Sequence, residues 1–516
     1  MQSESLQKGE KLNRWRYLRI LGFFLSMALS VLWWEIVLRR VFGEEYVAQG
    51  REERLRHHAR RFRRLAVRMG GVMIKLGQFL SARVDVMPAV ITEELAGLQD
   101  EVPPEDIHAI RSVVEAELGV PLESLFEDFE AECRTAASLG QVHRARLRNG
   151  ERVAVKVLRP GIERIVATDL AVLRIVARWL MLWPLVSKRA NVPALLEEFA
   201  ATLWEELDYE AEASHIETFH ALFEDDLGVY IPEVYREYST RRVLTMEDVT
   251  CIKISDHAAI DAAGVDRRVV AQRLADVYLR MFFDFGFFHA DPHPGNLFIY
   301  PLPEEAARQM YGSHVPHRGR PFYIVFVDFG MVGRITPEMR AGLRELLLAA
   351  GTRDGPRILR AYQMLGVILP SADLAPVEKA TDEVLDYIWG KTPSELARMS
   401  RAEMRGLAHQ YRDLFFDLPV QVPQNFIYLG RAAGILSGLC TALDPDFNVW
   451  DVAARYARRW LTQESGLRMR DLARIAFRWA WGLIRRSPDG DGDSQPSSGE
   501  ALSADDALRV ERPLAE

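Results

Sequence analysis

The pattern of apolar and polar positions changes from helical spacing to strand-like alternation between about residues 123 and 160. Apolar and polar residues alternate in Gln141–Leu147 and again in Arg152–Leu158, and Arg148–Glu151 between them contains the turn-forming pair Asn-Gly. This predicts a β-hairpin. Further along the chain, the pattern predicts a long apolar helix over Val269–Phe287 and a buried strand over Phe322–Val327.

The most apolar stretch of the chain lies close to its start. Ile20–Trp34 contains no charged residue, and the apolar stretch reaches the length of a membrane span only if it is extended to residues 18–38. Residues 1–70 contain 15 Lys or Arg against 7 Asp or Glu. Three interpretations stay open: a transmembrane or deeply inserted helix, a helix in the membrane interface, and a helix buried in protein.

A second stretch with a membrane-like pattern lies near the other end. In Arg468–Arg486, arginines repeat every four residues beside apolar and aromatic positions, which is typical of an interfacial helix or of an amphipathic helix packed on the domain. The residues after Ser487 are rich in Asp, Gly, Ser and Pro, and they predict a disordered acidic tail.

Composition narrows the class of protein. With 516 residues, of which 48% are hydrophobic, the chain can bury a sizeable core. Its net charge of -8 argues against a nucleic-acid-binding protein, which usually has a basic excess. Cys133, Cys251 and Cys440 are far apart, which excludes a disulfide scaffold.

Lys156 stands at the centre of the second predicted strand, in the sequence Val-Ala-Val-Lys. Such a lysine is either a charge kept in water on an edge strand or a ligand of nucleotide phosphates, as in the kinase pattern V-A-I-K. The tetrapeptide alone leaves both interpretations open.

Two later segments carry oxygen ligands at spacings that suit phosphate transfer. Asp291 and Asn296 are five positions apart, which is the spacing of the base and the Mg²⁺-binding amide in a kinase catalytic loop. Asp328 follows the predicted strand in an Asp-Phe-Gly triplet, where a carboxylate is well placed to bind Mg²⁺. His289 and His293 have no third ligand at zinc spacing, so we expect them to orient the loop through hydrogen bonds. The order of these motifs predicts a phosphate-transfer fold.

Three further motifs depart from ordinary protein kinases. Thr135–Val142 (TAASLGQV) has alanines where a glycine-rich loop is expected, and Gly71–Gln78 (GVMIKLGQ) and Leu98–Pro104 (LQDEVPP) lie upstream. Together with HADPHPGN in Phe288–Phe298, these motifs closely resemble the ABC1/UbiB family of atypical kinase-like proteins, also called the AarF-domain or ADCK family. The resemblance covers roughly residues 60–350.

The resemblance implies a role for each matching position. Lys156 is expected to contact the nucleotide phosphates and to pair with Glu212, while Asp291 matches the catalytic-loop aspartate. Asn296, Asp328, Glu206 and Asp208 match metal-binding positions. Nucleotide contacts are expected from Ala136, Ala137 and Ser138, from the hinge residues Met246, Glu247 and Val249, and from Lys75 and Gln78 of the KxGQ motif. His215 stands where the family often has Asn.

Spacing leaves two of these assignments open. Asp208 and Glu212 share a helical face and could approach one cation, but an acidic run is also typical of a solvated helix surface. Lys75 and Gln78, three positions apart, could point at one spot near the nucleotide or could face solvent near a helix end.

The resemblance implies an α+β, protein-kinase-like bilobal fold with an N-terminal helical KxGQ extension and a helical C-terminal region. The predicted segments are a basic N-terminus with an apolar membrane-associating helix (1–50), the KxGQ extension (51–122), an N-lobe with inserted helices (123–249), a helical C-lobe (250–460), an amphipathic basic helix (461–486) and the acidic tail (487–516).

The function expected from the resemblance is that of a membrane-associated atypical kinase or ATPase. It would bind ATP and Mg²⁺ and act in isoprenoid-quinone biosynthesis or related lipid metabolism. Expected partners are a membrane lipid or prenylated quinone precursor, the membrane surface and lipid-biosynthesis enzymes, with the catalytic domain in the cytoplasm and no nucleic acid. Two alternatives stay open: a small-molecule phosphotransferase of the aminoglycoside or choline kinase type, and a noncatalytic nucleotide-gated scaffold of a lipid-enzyme complex.

Overall fold

The computed structural model describes residues 12–82, 87–95, 98, 102–183, 187, 191–226, 228–249, 251–303, 319–352, 354–367, 378, 381, 424–448 and 452. The predicted helix 468–486 and the predicted tail after Ser487 lie outside these residues. The chain forms two units. The first is Met1–Asp225, Ile231–Thr250 and Phe326–Val332, and the second is Asp226–Tyr230, Cys251–Val325 and Gly333–Glu516.

Helices precede the first sheet. They are α1 Arg14–Leu32, continued by a π-helical turn Trp33–Leu38, α2 Arg39–Phe42, α3 Glu44–Ala48, α4 Arg51–Met69, α5 Val72–Ala82, α6 Ala89–Leu95, α7 Ile107–Leu118 and α8 Leu122–Leu125. The Asn13 side chain caps α1 by accepting a hydrogen bond from the Arg16 amide. The continuous stretch Arg14–Phe42 is long and apolar enough to cross a membrane, by length and composition only.

The next elements belong mainly to the first unit. They are β1 Phe126–Phe129, β2 Thr135–Ala136, β3 Gly140–Leu147, β4 Arg152–Leu158, α9 Ile162–Met181, α10 Val192–Glu205, α11 Tyr209–Leu222, β5 Val229–Tyr230 and β6 Val243–Glu247. The sheet of this unit has the order β1-β3-β4-β6, with β2 on the side of β3. Antiparallel pairing of β3 with β4 confirms the predicted hairpin.

One face of this sheet packs on α7. Val153, Val155 and Val157 alternate along β4 and are fully buried against Ile110 and Val114 of the helix. Each buried valine side chain contributes roughly 1.5–3 kcal/mol, so the period-two pattern fixes which face of β4 enters the core. Lys156 points to the other face because it lies between two of these valines.

The second unit contains the remaining elements. They are β7 Ile252–Lys253, α12 His257–Ala262, α13 Arg267–Arg280, a π-helical turn Met281–Phe285, β8 Phe287–His289, β9 Leu297–Pro301, β10 Phe322–Phe326, β11 Val332–Arg334, α14 Pro337–Thr352, α15 Gly355–Met364 and α16 Gln424–Leu443. The predicted apolar helix and buried strand are therefore present as α13 with its π turn and as β10.

The core of the second unit forms around α13. Its apolar side chains, among them Leu274 and Tyr278, are buried, and α16 packs along the same helix. Cys440 of α16 is buried there and donates a hydrogen bond from its thiol to the Ala271 carbonyl. A four-stranded sheet with the order β5-β10-β9-β7 completes the unit.

Candidate functional site

Lys156 lies on a central strand. β4 pairs with β3 on one side and with β6 on the other, so Lys156 has Val142 and Leu244 as its cross-strand neighbours. Its side chain is 16% exposed, and the ammonium donates hydrogen bonds to both carboxylate oxygens of Glu212 at 2.9 Å. The interpretation of Lys156 as an edge-strand charge kept in water is therefore wrong, because this strand has no open edge.

Glu212 reaches Lys156 from the first turns of α11. Asp208 caps this helix, accepting a hydrogen bond from the Ala211 amide through its side chain. The Glu212 side chain is 3% exposed, and it also accepts a hydrogen bond from the Phe329 amide at 3.1 Å. One carboxylate thus connects the strand lysine to the Asp-Phe-Gly triplet.

The Asp-Phe-Gly triplet forms a strained turn. Asp328 has a φ of 62°, a left-handed conformation that is uncommon for a residue other than glycine. Its side chain lies 3.4 Å from the Lys156 ammonium and remains 49% exposed. Phe329 is fully buried and packs on Phe219, while His215 makes a hydrogen bond to the Phe329 carbonyl at 3.1 Å. His215 therefore holds this turn from the position where the family often has Asn.

Burial and charge act against each other in this cluster. Burial disfavours the Lys156 ammonium, but Asp328 and Glu212 outweigh it, so the pKa of Lys156 lies well above its ordinary value. Burial, together with the Asp328 charge, raises the pKa of Glu212. Tyr209, whose ring lies 5.1 Å from the Lys156 ammonium, also has a pKa raised by burial. The lysine is thus held in its charged form.

The alanine loop is tied back onto the sheet. The Ala137 amide donates to the Gly140 carbonyl, and the Arg159 guanidinium donates to the Ala137 carbonyl. Ser138 is buried and Ala136 ends β2. At Gly140 a Cβ atom would lie 2.8 Å from the Val157 carbonyl oxygen and 2.5 Å from the Tyr209 hydroxyl, so only glycine has room there.

The predicted hinge begins in β6. Met246 pairs with Ala154 of β4, and the Glu247 amide donates to the Glu233 carbonyl at 2.9 Å. The Glu247 amide proton is therefore already engaged within the fold. Val249 follows Asp248, whose carboxylate pairs with Arg134.

The KxGQ residues have different partners. The Lys75 ammonium lies 2.8 Å from the Glu206 carboxylate, whereas the Gln78 amide donates to the Leu98 carbonyl at 3.4 Å. Hence their spacing on α5 does not bring both side chains to one partner. At Gly77 a Cβ atom would lie 2.2 Å from a Leu98 methyl group, which explains the glycine of this motif by packing.

The second unit positions the Asp291–Asn296 loop. The Asn296 side-chain amide donates to the Asp291 carbonyl at 3.2 Å and approaches its carboxylate at 3.4 Å. His289 accepts a hydrogen bond from the Asp291 amide, and His293 accepts one from the Gly295 amide. These contacts confirm the expectation that the two histidines orient the loop through hydrogen bonds.

Sequence reasoning missed Arg431. Its guanidinium, on α16, donates a hydrogen bond to Oδ1 of the Asp291 carboxylate at 2.9 Å. The two residues are 140 positions apart in the sequence. A signal was present, since Arg431 is the only charged residue in the 20 residues of α16. A lone charge in an apolar helix is usually paired.

In the part of the chain that the structure describes, no group of three or more His, Cys, Asp or Glu side chains converges in a way that could hold a metal ion. Glu206 pairs with Lys75, and Asp208 caps α11. Asp328 of the first unit and Asn296 of the second each carry a side-chain oxygen of the kind that Mg²⁺ takes when phosphates provide the rest of its coordination, so each residue by itself fits the ion.

A lysine strand, a glutamate helix, an Asp-Phe-Gly turn and an Asp-x4-Asn loop define the class of protein-kinase-like folds. Residues 97–362 match the ABC1 atypical kinase-like domain. The chain belongs to this ABC1 atypical kinase-like family, and its domain has the kinase-like fold.

Relatives support this membership. An uncharacterized protein of Synechocystis sp. is 33% identical over 482 residues, which cover 92% of this chain and 78% of that protein. The Aeromonas hydrophila protein named "Probable protein kinase UbiB" is 34% identical over 405 residues, covering 77% of this chain and 69% of its own.

Two further similarities extend over most of this chain. The Arabidopsis thaliana protein ACTIVITY OF BC1 COMPLEX KINASE 8, chloroplastic, is 34% identical over 427 residues, covering 78% of this chain and 54% of that relative. The chain thus spans about half of that relative's length. Among solved structures, the complex of Rv3197 with erythromycin from Mycobacterium tuberculosis has a TM-score of 0.48 at 20% identity, covering 79% of this chain and 97% of that one.

Proposed function

We propose that the protein is a membrane-associated atypical kinase or ATPase that binds Mg-ATP. It would act on a lipid of isoprenoid-quinone biosynthesis or of related lipid metabolism. The observation that supports this proposal most is the cluster of Lys156, Glu212 and Asp328, because it joins a buried ammonium to an exposed carboxylate in a family of kinase-like proteins.

The residues of the first unit would bind the nucleotide. Lys156, oriented by Glu212, would donate to phosphate oxygens, and the exposed Asp328 carboxylate would hold Mg²⁺. When bound, Mg²⁺ offsets the charge of the triphosphate. Glu206 and Asp208 remain proposed ligands, and each would have to leave its present partner to bind a cation.

The residues of the second unit would orient and deprotonate the attacking group. Asp291 would accept a proton from an attacking hydroxyl or orient a water molecule, and Asn296 would contribute a metal ligand. Hydrogen bonds from Asn296 and Arg431 keep the Asp291 carboxylate in one orientation. Such fixed orientation lowers the entropic cost of reaching the transition state.

The lipid part of the proposal rests on the family resemblance and on the N-terminal helix. The stretch Arg14–Phe42 is apolar, and the first 70 residues have a basic excess that attracts anionic membranes. The proposed partners are a membrane lipid or prenylated quinone precursor and enzymes of lipid biosynthesis.

The experiment that tests this proposal measures ATP hydrolysis by the purified full-length protein with Mg²⁺, with and without liposomes that contain an anionic lipid. The controls are Asp291→Asn and Asp328→Asn. Lipid-stimulated turnover that both variants lose would support the ATPase. Nucleotide binding without turnover under every condition would favour the noncatalytic scaffold, and turnover on a soluble alcohol alone would favour a small-molecule phosphotransferase.

Asp328→Asn gives a separate prediction about metal binding. The change removes one negative charge from an exposed metal ligand, so Mg²⁺-dependent ATP binding should be lost, and not merely turnover. Calorimetric titration of ATP with and without Mg²⁺ measures this. Full affinity in the variant would contradict the assignment of Asp328 as a metal ligand.

A further inference from the structure

One face of α1, continued by the π-helical turn that follows it, is apolar and exposed. Leu18, Leu25, Leu29, Trp33 and Ile36 recur at helical spacing and are 45–63% exposed. From Leu18 to Ile36 this stripe is about 27 Å long at 1.5 Å per residue. Exposed apolar surface of this extent usually marks a contact with another molecule or with a membrane.

The opposite face of α1 packs on its own unit. Ile20 and Phe24 are buried, and the Arg16 guanidinium donates to both carboxylate oxygens of Asp169 at 2.6 Å. Asp169, on α9, is fully buried. This end of α1 is therefore fixed to the folded unit by an ion pair that is costly to break.

α1 and its π turn lie antiparallel to α4. Arg61 donates to the Ser26 hydroxyl, Arg54 stacks over Trp34, and Arg51 pairs with Glu35 at 2.8 Å. As the residue number rises on the first helix, it falls on α4. Residues 14–69 thus form a helical hairpin, which we call the N-terminal hairpin.

The hairpin geometry disfavours a membrane span. α4 contains eight arginines and two glutamates, so it cannot accompany α1 into hydrocarbon. Even one arginine at the centre of a bilayer is costly. α1 could cross a membrane only after leaving both Asp169 and α4, whereas it can meet a membrane surface without breaking any of these contacts.

The basic helix adds charge complementary to an anionic surface. Arg60, Arg63, Arg64 and Arg68 line a cavity of about 460 Å³ together with Val67 and Glu94. Glu94 lies 3.2 Å from Arg60 and 3.8 Å from Arg63, so four arginines share one carboxylate in this lining. Each basic residue near an anionic leaflet strengthens binding to it.

We propose that the N-terminal hairpin is a membrane-docking surface that lies in the plane of an anionic bilayer. The exposed face of α1 enters the interface between headgroups and acyl chains, and the α4 arginines contact lipid phosphates. This inference rests on the proposed membrane attachment and states its geometry: the protein is bound to one leaflet and does not span the membrane.

Vesicle co-sedimentation of the full-length protein without nucleotide tests the docking surface. The vesicles are phosphatidylcholine with or without phosphatidylglycerol. Leu25→Asp with Leu29→Asp should weaken binding at least about tenfold, because two exposed leucines that would enter the bilayer interface are replaced by charges. Leu182→Asp, at a residue that is 77% exposed elsewhere in the unit, is the matched control and should bind like the parent.

The arginines give a second pair of variants. Arg60→Gln with Arg64→Gln should lower binding to the anionic vesicles and reduce its dependence on salt. Arg146→Gln with Arg152→Gln, on the sheet, is the matched control. Equal binding to neutral and anionic vesicles would overturn the role of the arginines, and absence of vesicle binding by the parent protein would overturn the docking surface.

A cross-link distinguishes docking from spanning. Ser26→Cys and Arg61→Cys are introduced with Cys133→Ser and Cys251→Ser, and a bismaleimide joins the new thiols, which keeps α1 on α4. Cross-linked and open forms should bind vesicles within about twofold of each other, because docking needs no separation of the helices. Loss of binding in the cross-linked form would overturn the in-plane geometry in favour of a span. ATP hydrolysis measured without vesicles reports separately on the proposed function.

Discussion

Lys156 and its two carboxylates form a cluster with one negative charge in excess. The ammonium stands between Glu212, which is buried, and Asp328, which is half exposed. Removing such charges from water costs several kcal/mol per ion, which their attraction and hydrogen bonds must offset. A divalent cation at the exposed Asp328 carboxylate would offset this excess, and phosphate oxygens would supply the rest of its coordination.

Glu212→Gln should destabilise the first unit by up to about 3–5 kcal/mol, because the Lys156 ammonium loses its buried charged partner and keeps only the half-exposed Asp328. Urea unfolding followed by circular dichroism measures the free energy. Glu217→Gln, on the same helix, removes a surface pair with Arg236 and should cost less than about 1 kcal/mol. Equal losses of unfolding free energy in the two variants would contradict an extra cost for burying Lys156 without Glu212.

Arg431→Met should lower kcat about tenfold to a hundredfold while the Kd for ATP stays unchanged, because the Asp291 carboxylate loses its orientation. Single-turnover kinetics and nucleotide titration separate the two quantities. Arg431→Lys should restore part of the rate. A matching fall in nucleotide affinity would assign Arg431 to binding and not to positioning.

At the scale of elements, local pattern predicted more than distant pairing. The alternation in β3 and β4 predicted the hairpin, because a hairpin depends on neighbours within a few residues. The strand that pairs with β4 on its other side, β6, is about 90 residues further along the chain. The sequence alone therefore did not decide whether Lys156 lies on an edge strand or on a central strand. Arg431 was missed for the same reason, since its partner lies on another element.

The sheet of the first unit should lose stability in mild acid through His143. Burial lowers its pKa from the ordinary 6.5, so the folded protein favours the neutral ring, which contacts Gln141 and the Glu130 carbonyl. This contribution is present above pH 6.5 and is lost as the pH falls through the lowered value. Unfolding free energies between about pH 7 and pH 5 should therefore fall less in His143→Gln. An identical dependence of unfolding free energy on pH in the variant would rule out His143 as the group responsible. His58, whose pKa is also lowered by burial, would give the dependence that remains in the variant.

At the scale of the whole molecule, the N-terminal helix is part of the folded first unit and not an appendage. Ile20 and Val47 are fully buried, and Asp169 has its charge met by Arg16. The apolar run that the sequence left between a span, an interfacial helix and a buried helix has one packed face, as a helix buried in protein would have, and one exposed face, which we propose to meet a membrane surface.

Arg16→Met should destabilise the first unit by about 3–5 kcal/mol, because the buried Asp169 carboxylate is left without its cation. Burial already raises the pKa of Asp169, so the loss should shrink as the pH is lowered and that carboxyl becomes protonated. Arg16→Met with Asp169→Leu should recover most of the loss. Thermal unfolding of the parent and the two variants measures this, and a double variant no more stable than Arg16→Met would contradict a direct pairing.

The Arg16–Asp169 pair also has a consequence in time. Its two residues are 153 positions apart, and at about 5–20 residues per second a ribosome needs roughly 8–30 s to pass from one to the other. Throughout that interval α1 is complete but α9 is not, so the surface of α1 that will later pack on α9 is still open. A bilayer or a chaperone met during synthesis therefore competes with the protein's own ninth helix for the first one.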